Sequence, residues 1–95
     1  MGTYRTHISI VGQILDSTID EIDEKEGASI THLIRKANVS HGRLSKILNN
    51  LVSQGLLEQI NSERSSRYKI SVSGREFLSA YKTFRNFSED FGLTI

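Results

Sequence analysis

A mainly α domain carrying one β-hairpin ahead of a long last helix is predicted by three features of the sequence. Several segments place apolar residues at helical spacings of three and four, two short runs flank a polar turn, and all four phenylalanines fall in the final segment. A chain of 95 residues with 37% hydrophobic content suffices for one domain around a modest core. With no cysteine it has no disulfide framework, thiolate zinc site or thiol nucleophile.

Residues 6–22 set Ile8, Val11, Ile14, Leu15, Ile19 and Ile22 on one side, with Gln13, Asp16, Asp20 and Glu21 elsewhere, the pattern of an amphipathic helix. An acidic run and Gly27 end it. Ser29 is a side-chain cap for a second, shorter helix that turns Ile30, Leu33, Ile34 and Ala37 inward, and Asn38 and Val39 break that helix. Ser40 caps a third, whose stripe of Leu44, Ile47, Leu48, Leu51 and Val52 ends at Gln54, with Gly55 in the position after the cap. Leu56–Asn61 and Arg67–Val72 are expected as strands around the turn Ser62–Ser66. Ser73 and Gly74 are expected to open the last helix, with Phe77, Leu78, Tyr81, Phe84, Phe87 and Phe91 along its apolar side. The order α-α-α-β-β-α with a long C-terminal helix is that of a winged helix-turn-helix, here a core of residues 1–72 continuous with a final helix over 73–95.

Net charge is only +1, but it is unevenly placed. Six of the eleven acids (Asp16, Asp20, Glu21, Asp23, Glu24 and Glu26) lie within residues 16–26, whereas residues 35–75 hold eight Lys and Arg against Glu58 and Glu63. This polarisation suits a phosphate-rich partner met by the basic half. The N-terminus lacks the pattern of a signal peptide and no run is long and apolar enough for a membrane span, so a soluble, cytoplasmic, nucleoid-associated protein without membrane contact is expected.

The run Ala37-Asn38-Val39-Ser40-His41-Gly42-Arg43-Leu44-Ser45-Lys46-Ile47-Leu48, continuing through Leu51, Gly55, Leu56, Leu57 and Glu58, resembles the turn and recognition helix of archaeal winged-helix regulators. Tyr68–Leu78 looks like their second wing strand and the entry into the last helix, within a resemblance spanning nearly the whole chain. It implies a small transcriptional regulator or chromatin-type protein that pairs its C-terminal helices in a homodimer on double-stranded DNA. The family often has an aromatic residue where His41 and Gly42 stand, and Lys or Glu where Ser73 precedes Gly74.

The third helix is the expected DNA-reading element, because a B-form major groove admits one helix. Its outward residues Ser40, His41, Gly42, Arg43, Ser45, Lys46, Asn49 and Asn50 include no acid. Arg43 occupies the position where a capping box would carry Glu or Gln, so a cation opposes the helix dipole there. A guanine or phosphate would reverse that sign, and Lys46 one turn on suits phosphate. Thr31, Arg35 and Lys36 of the second helix are candidates for the flanking backbone, and Arg64, Ser65 and Arg67 for wing contacts. A helix of about 19 residues runs roughly 28 Å, longer than a small core can cover. Tyr81, Phe84, Phe87, Ser88 and Phe91 are therefore the candidate dimer interface.

No enzyme is indicated. His7, His32 and His41 lack metal-ligand spacing, no glycine-rich phosphate loop is present, and Ser79-Ala80-Tyr81-Lys82 fits S-x-x-K without its partner motifs. No catalytic residue, metal site or cofactor is expected. The competing function is a winged-helix protein-interaction module that binds no DNA, because the fold does not fix the partner.

Overall fold

The computed structural model describes residues 6–19, 27–61 and 66–93. It contains α1 (His7–Ile19), β1 (Ala28–Ser29), α2 (Ile30–Ala37), α3 (His41–Ser53), β2 (Leu57–Asn61), β3 (Ser66–Ile70) and α4 (Val72–Asp90). The predicted order stands, with one short strand added. β3 is central, paired antiparallel to β2 with Leu57 opposite Ile70 and Asn61 opposite Ser66, and to β1 with Ala28 opposite Tyr68. Residues 20–22, expected to finish the first helix, lie outside the described residues, as does the acidic run to Glu26.

Local chemistry sets the helix ends. Thr6 caps α1 by accepting from Ser9 N at 3.1 Å. Ser29 serves β1 through its backbone and α2 through its hydroxyl, which accepts from His32 N at 3.2 Å. Both α3 and α4 finish in Schellman motifs: Leu56 N donates to Leu51 O and Gly55 N to Val52 O, then Leu93 N to Ser88 O and Gly92 N to Glu89 O. Gly55 and Gly92 supply the positive φ this turn needs, 80° and 73°.

The last helix starts earlier than its sequence indicates. Ser71 is the N-cap, accepting from Gly74 N at 2.9 Å, so β3 stops at Ile70 and Val72 is helical and 75% exposed. The alternation ending in Val72 loses to a cap hydroxyl one residue earlier. Ser71 also donates from Oγ to Gly55 O at 2.6 Å and from its backbone to Leu56 O at 3.2 Å. Gly74 then packs so closely that a Cβ there would overlap the Leu56 carbonyl oxygen and stand 2.7 Å from Ile70 Cγ1. These contacts join the start of α4 to the end of α3.

Ile10, Ile14, Leu15, Leu33, Leu44, Leu48 and Leu57 are fully buried in a core to which every element contributes. Burying each such aliphatic side chain stabilises by about 1.5–3 kcal/mol. The predicted stripes of α2 and α3 are buried or half-buried, so their opposite faces are fixed outward; in α1, Val11, Ile14 and Leu15 are buried with Ile10, whereas Ile8, expected on the same side, is exposed.

Candidate nucleic-acid interface

The turn between α2 and α3 is short because Asn38 reverses the chain by itself. It adopts the left-handed conformation (φ 54°, ψ 50°), which asparagine tolerates better than most residues, and its N–H donates to Ile34 O at 2.9 Å. Half-buried Val39 anchors the turn against the core. Ser40 then caps α3, its Oγ accepting from Arg43 N at 3.3 Å and its carbonyl from Leu44 N at 2.9 Å.

With Leu44, Ile47, Leu48 and Leu51 buried, α3 presents His41, Gly42, Arg43, Lys46, Asn49, Asn50 and Ser53 to solvent, and Ser45 is half-buried. Gly42, Lys46, Asn49 and Ser53 share one outward stripe by helical spacing, and Arg43, Lys46 and Asn50 form another beside it. Nothing lies within 4 Å of where a Gly42 Cβ would stand. No packing among the described residues calls for glycine there, although it weakens the helix by up to about 1 kcal/mol relative to alanine.

On α2, Thr31, Arg35 and Lys36 are exposed while Leu33 and Ala37 are buried. Arg35, Lys36, Arg43 and Lys46 are all exposed, and no carboxylate among the described residues pairs with them. Two cations of α4 are engaged: Lys82 pairs with Asp16 at 2.9 Å, and the Arg85 guanidinium lies 5.6 Å over the Tyr81 ring. Among the described residues, the helix-turn-helix pair thus carries four exposed cations without a carboxylate partner.

The wing departs from the sequence expectation. Arg64 and Ser65 lie outside the described residues. Arg67 is half-buried, paired across to Ser29 and Ile60, and donates from Nη1 to Gly27 O at 3.0 Å. Adjacency to the turn in sequence suggested a tip residue, but the register makes Arg67 a clasp on the β1 side of the sheet. A polar cluster unforeseen from sequence lies nearer the tip. Gln59 Nε2 donates to Asn61 Oδ1 at 3.1 Å and to Ser66 Oγ at 3.3 Å, and Ser66 Oγ donates to Asn61 Oδ1 at 2.9 Å. Only the pairing register could have revealed it, since it sets Asn61 against Ser66.

α4 carries two stripes rather than one. Gly74, Leu78, Tyr81 and Ser88 face inward and are buried, with the Tyr81 ring seated against Gly12 of α1. Tyr81 and Ser88 thus belong to the chain's own interior, which corrects their place in the expected dimer surface: Gly12 leaves room that Tyr81 fills. Phe77, Ala80, Phe84, Phe87 and Phe91 repeat at alternating steps of three and four on the other stripe. Phe84, Phe87 and Phe91 are 58%, 61% and 68% exposed, and Leu93 beyond the helix is exposed as well. The Phe87 and Phe91 rings touch with centroids 5.0 Å apart. Beside Phe84, an apolar groove of about 230 Å³ runs between Ile8, Phe77, Ala80 and Tyr81.

Among the described residues no group of three His, Asp or Glu stands close enough to hold a metal ion, and no helix is long and apolar enough to cross a membrane.

A family model described as winged helix-turn-helix matches residues 4–89. No curated protein sequence matches the chain. Among solved structures, Sso10a-2, a DNA-binding protein from Sulfolobus solfataricus, superposes with a TM-score of 0.80 at 22% identity, covering 92% of this chain and 85% of that one. BldR, a transcriptional regulator from the same organism, gives 0.69 at 21% identity, over 87% of this chain and 59% of its own. F-93 of SSV1 gives 0.66 at 17% identity, over 96% and 99%.

Proposed function

Because this chain belongs to the winged helix-turn-helix family, we propose that it binds double-stranded DNA as a dimeric transcriptional regulator or chromatin-type protein. The observation that carries the reading is the outward side of α2 and α3, where Arg35, Lys36, Arg43 and Lys46 stand exposed without carboxylate partners among the described residues. α3 enters the major groove in this reading. Arg43 in its first turn meets a guanine edge or phosphate, Lys46 meets phosphate, and Ser40, His41, Ser45, Asn49 and Asn50 border the same groove. Gly42 lets the backbone approach closely, and Thr31, Arg35 and Lys36 meet the flanking backbone. Sso10a-2 and BldR, with the same fold, are a DNA-binding protein and a transcriptional regulator. The setting is the cytoplasm, on the nucleoid.

Binding to a generic duplex tests the reading. Four cations per chain, engaged in both halves of a dimer, give a slope of log affinity against log salt of about −7, so affinity falls roughly 10⁴-fold between about 50 and 200 mM salt. An absence of duplex binding, or binding indifferent to salt, would overturn it in favour of a protein-interaction module. Enrichment of one sequence from a random pool marks a regulator, and equal binding to all sequences marks a chromatin role.

The dimer forms through the outer stripe of α4. Two phenylalanines on one helix and a third at its C-cap, each more than half exposed, are a surface that soluble monomers seldom leave open. Burying each ring in a partner is favourable by about 1.5–3 kcal/mol. Phe84→Lys with Phe87→Lys is expected to convert a dimer into a folded monomer, measured by light scattering and circular dichroism. A wild-type protein that is already monomeric at tens of micromolar refutes this part.

A further inference from the structure

We propose that Asn61 is the hydrogen-bond donor through which the hairpin meets DNA, held in its donating orientation by Gln59 and Ser66; this rests on the duplex-binding reading above. The inner face of β2 and β3 carries Leu57, Tyr68 and Ile70 in the core. Continued toward the tip, that face presents Gln59 beside Tyr68 and Asn61 opposite Ser66, so an apolar face ends in three polar side chains bonded to one another.

Asn61 Oδ1 accepts from both Gln59 Nε2 at 3.1 Å and Ser66 Oγ at 2.9 Å. A carboxamide has an acceptor at one end and a donor at the other, so two donors on Oδ1 direct Nδ2 away from the cluster. Asn61 is exposed, and no described residue accepts from its Nδ2. The usual state of a surface asparagine is a freely turning amide that must be ordered on binding. Here the ordering precedes the ligand, which is how preorganisation raises affinity.

The chemistry that fits is an acceptor oxygen or nitrogen without a proton of its own. DNA offers it as phosphate oxygens and as the N3 and O2 atoms of the minor groove. The cluster continues toward the tip the hairpin face whose inner part packs into the core, and in the proposed complex that end lies against a duplex lying along α3.

The test measures duplex affinity over a salt series for wild type, Asn61→Ala and Ser66→Ala, with thermal midpoints recorded. Asn61→Ala is expected to weaken binding about tenfold at every salt concentration. It leaves the salt slope unchanged, because a neutral donor releases no counterion. Ser66→Ala keeps the donor but frees it, and an intermediate loss of about threefold is expected. Duplexes made only of G·C pairs, with and without inosine in place of guanine, identify the acceptor: a larger penalty in Asn61→Ala on the inosine duplex, where the guanine amino group no longer obstructs the minor groove, marks a minor-groove atom, and an equal penalty on both marks phosphate. Wild-type affinity in Asn61→Ala, while Arg43→Ala weakens binding, overturns the proposal and leaves the duplex-binding reading standing. Loss in Asn61→Ala with none in Ser66→Ala overturns the positioning by Ser66. A wild-type protein that binds no duplex overturns the underlying reading, and the proposal with it.

Discussion

Replacing Arg43 and Lys46 together by alanine is expected to weaken duplex binding about a thousandfold at roughly 0.1 M salt without unfolding the protein. Each phosphate left without its cation takes about 0.9 from the slope of log affinity against log salt, so a dimer with four fewer cations on DNA is flatter by about 3.6. Both side chains are exposed and neither pairs with a carboxylate among the described residues, so the core does not register their removal. Stability should move the other way from binding. Arg43 stands in the first turn of α3, where a cation opposes the helix dipole at a cost of about 0.3–1 kcal/mol. The thermal midpoint of the variant therefore holds or rises by a few degrees while affinity collapses. Unchanged binding, measured by fluorescence anisotropy across the salt series, would show that DNA does not meet this face.

Gly74→Ala is expected to be the most damaging single-methyl change in the chain. Its Cβ would overlap the Leu56 carbonyl oxygen, a backbone atom fixed by the turn after α3, and press on Ile70. Alanine ordinarily favours a helix over glycine by about 1 kcal/mol, but here it must push two elements apart. A net loss of about 2–4 kcal/mol follows, a fall of roughly 10–25 °C in the midpoint of a domain of this size. Gly42→Ala is the matched control, because the corresponding space is empty. A Gly74→Ala protein that melts with the wild type would show that α4 does not depend on this close approach.

Much of the fold was legible because it rests on repeats that a sequence displays directly. Leu44, Ile47, Leu48 and Leu51 announce one buried side of α3, and Ser29, Ser40 and Gly55 mark helix ends by their own chemistry. The cations of α2 and α3 were legible for the same reason, since fixing the buried side fixes the outward one. What escaped depends on pairing between distant segments. β1 has two residues and no alternation to display, and it exists because β3 offers it an edge. Arg67 looks like a wing-tip residue until that edge brings Gly27 O to its guanidinium. Ser71 and Ser73 are equally good caps as letters, and the choice falls to Ser71, which also reaches Gly55. Tyr81 and Phe84 read as one stripe because both fit helical spacing, and only Gly12 on the neighbouring helix draws Tyr81 inward. Asn61, Gln59 and Ser66 resemble any polar hairpin until the register stacks them.

The join between α3 and α4 has a mechanical consequence. Ser71 bonds Gly55 and Leu56, and Gly74 rests on the Leu56 carbonyl, so the turn that ends the helix proposed to read DNA is tied directly to the start of the helix proposed to pair. That tie would let the two helices act as the arms of a caliper. In the proposed dimer, where two chains clasp their phenylalanines, the angle at that clasp would set the distance between the two α3 helices over an arm of roughly 28 Å. A small rotation at the clasp would change which face of the duplex each tip finds, so a dimer bound in the proposed way would be sensitive to the helical phase of its site.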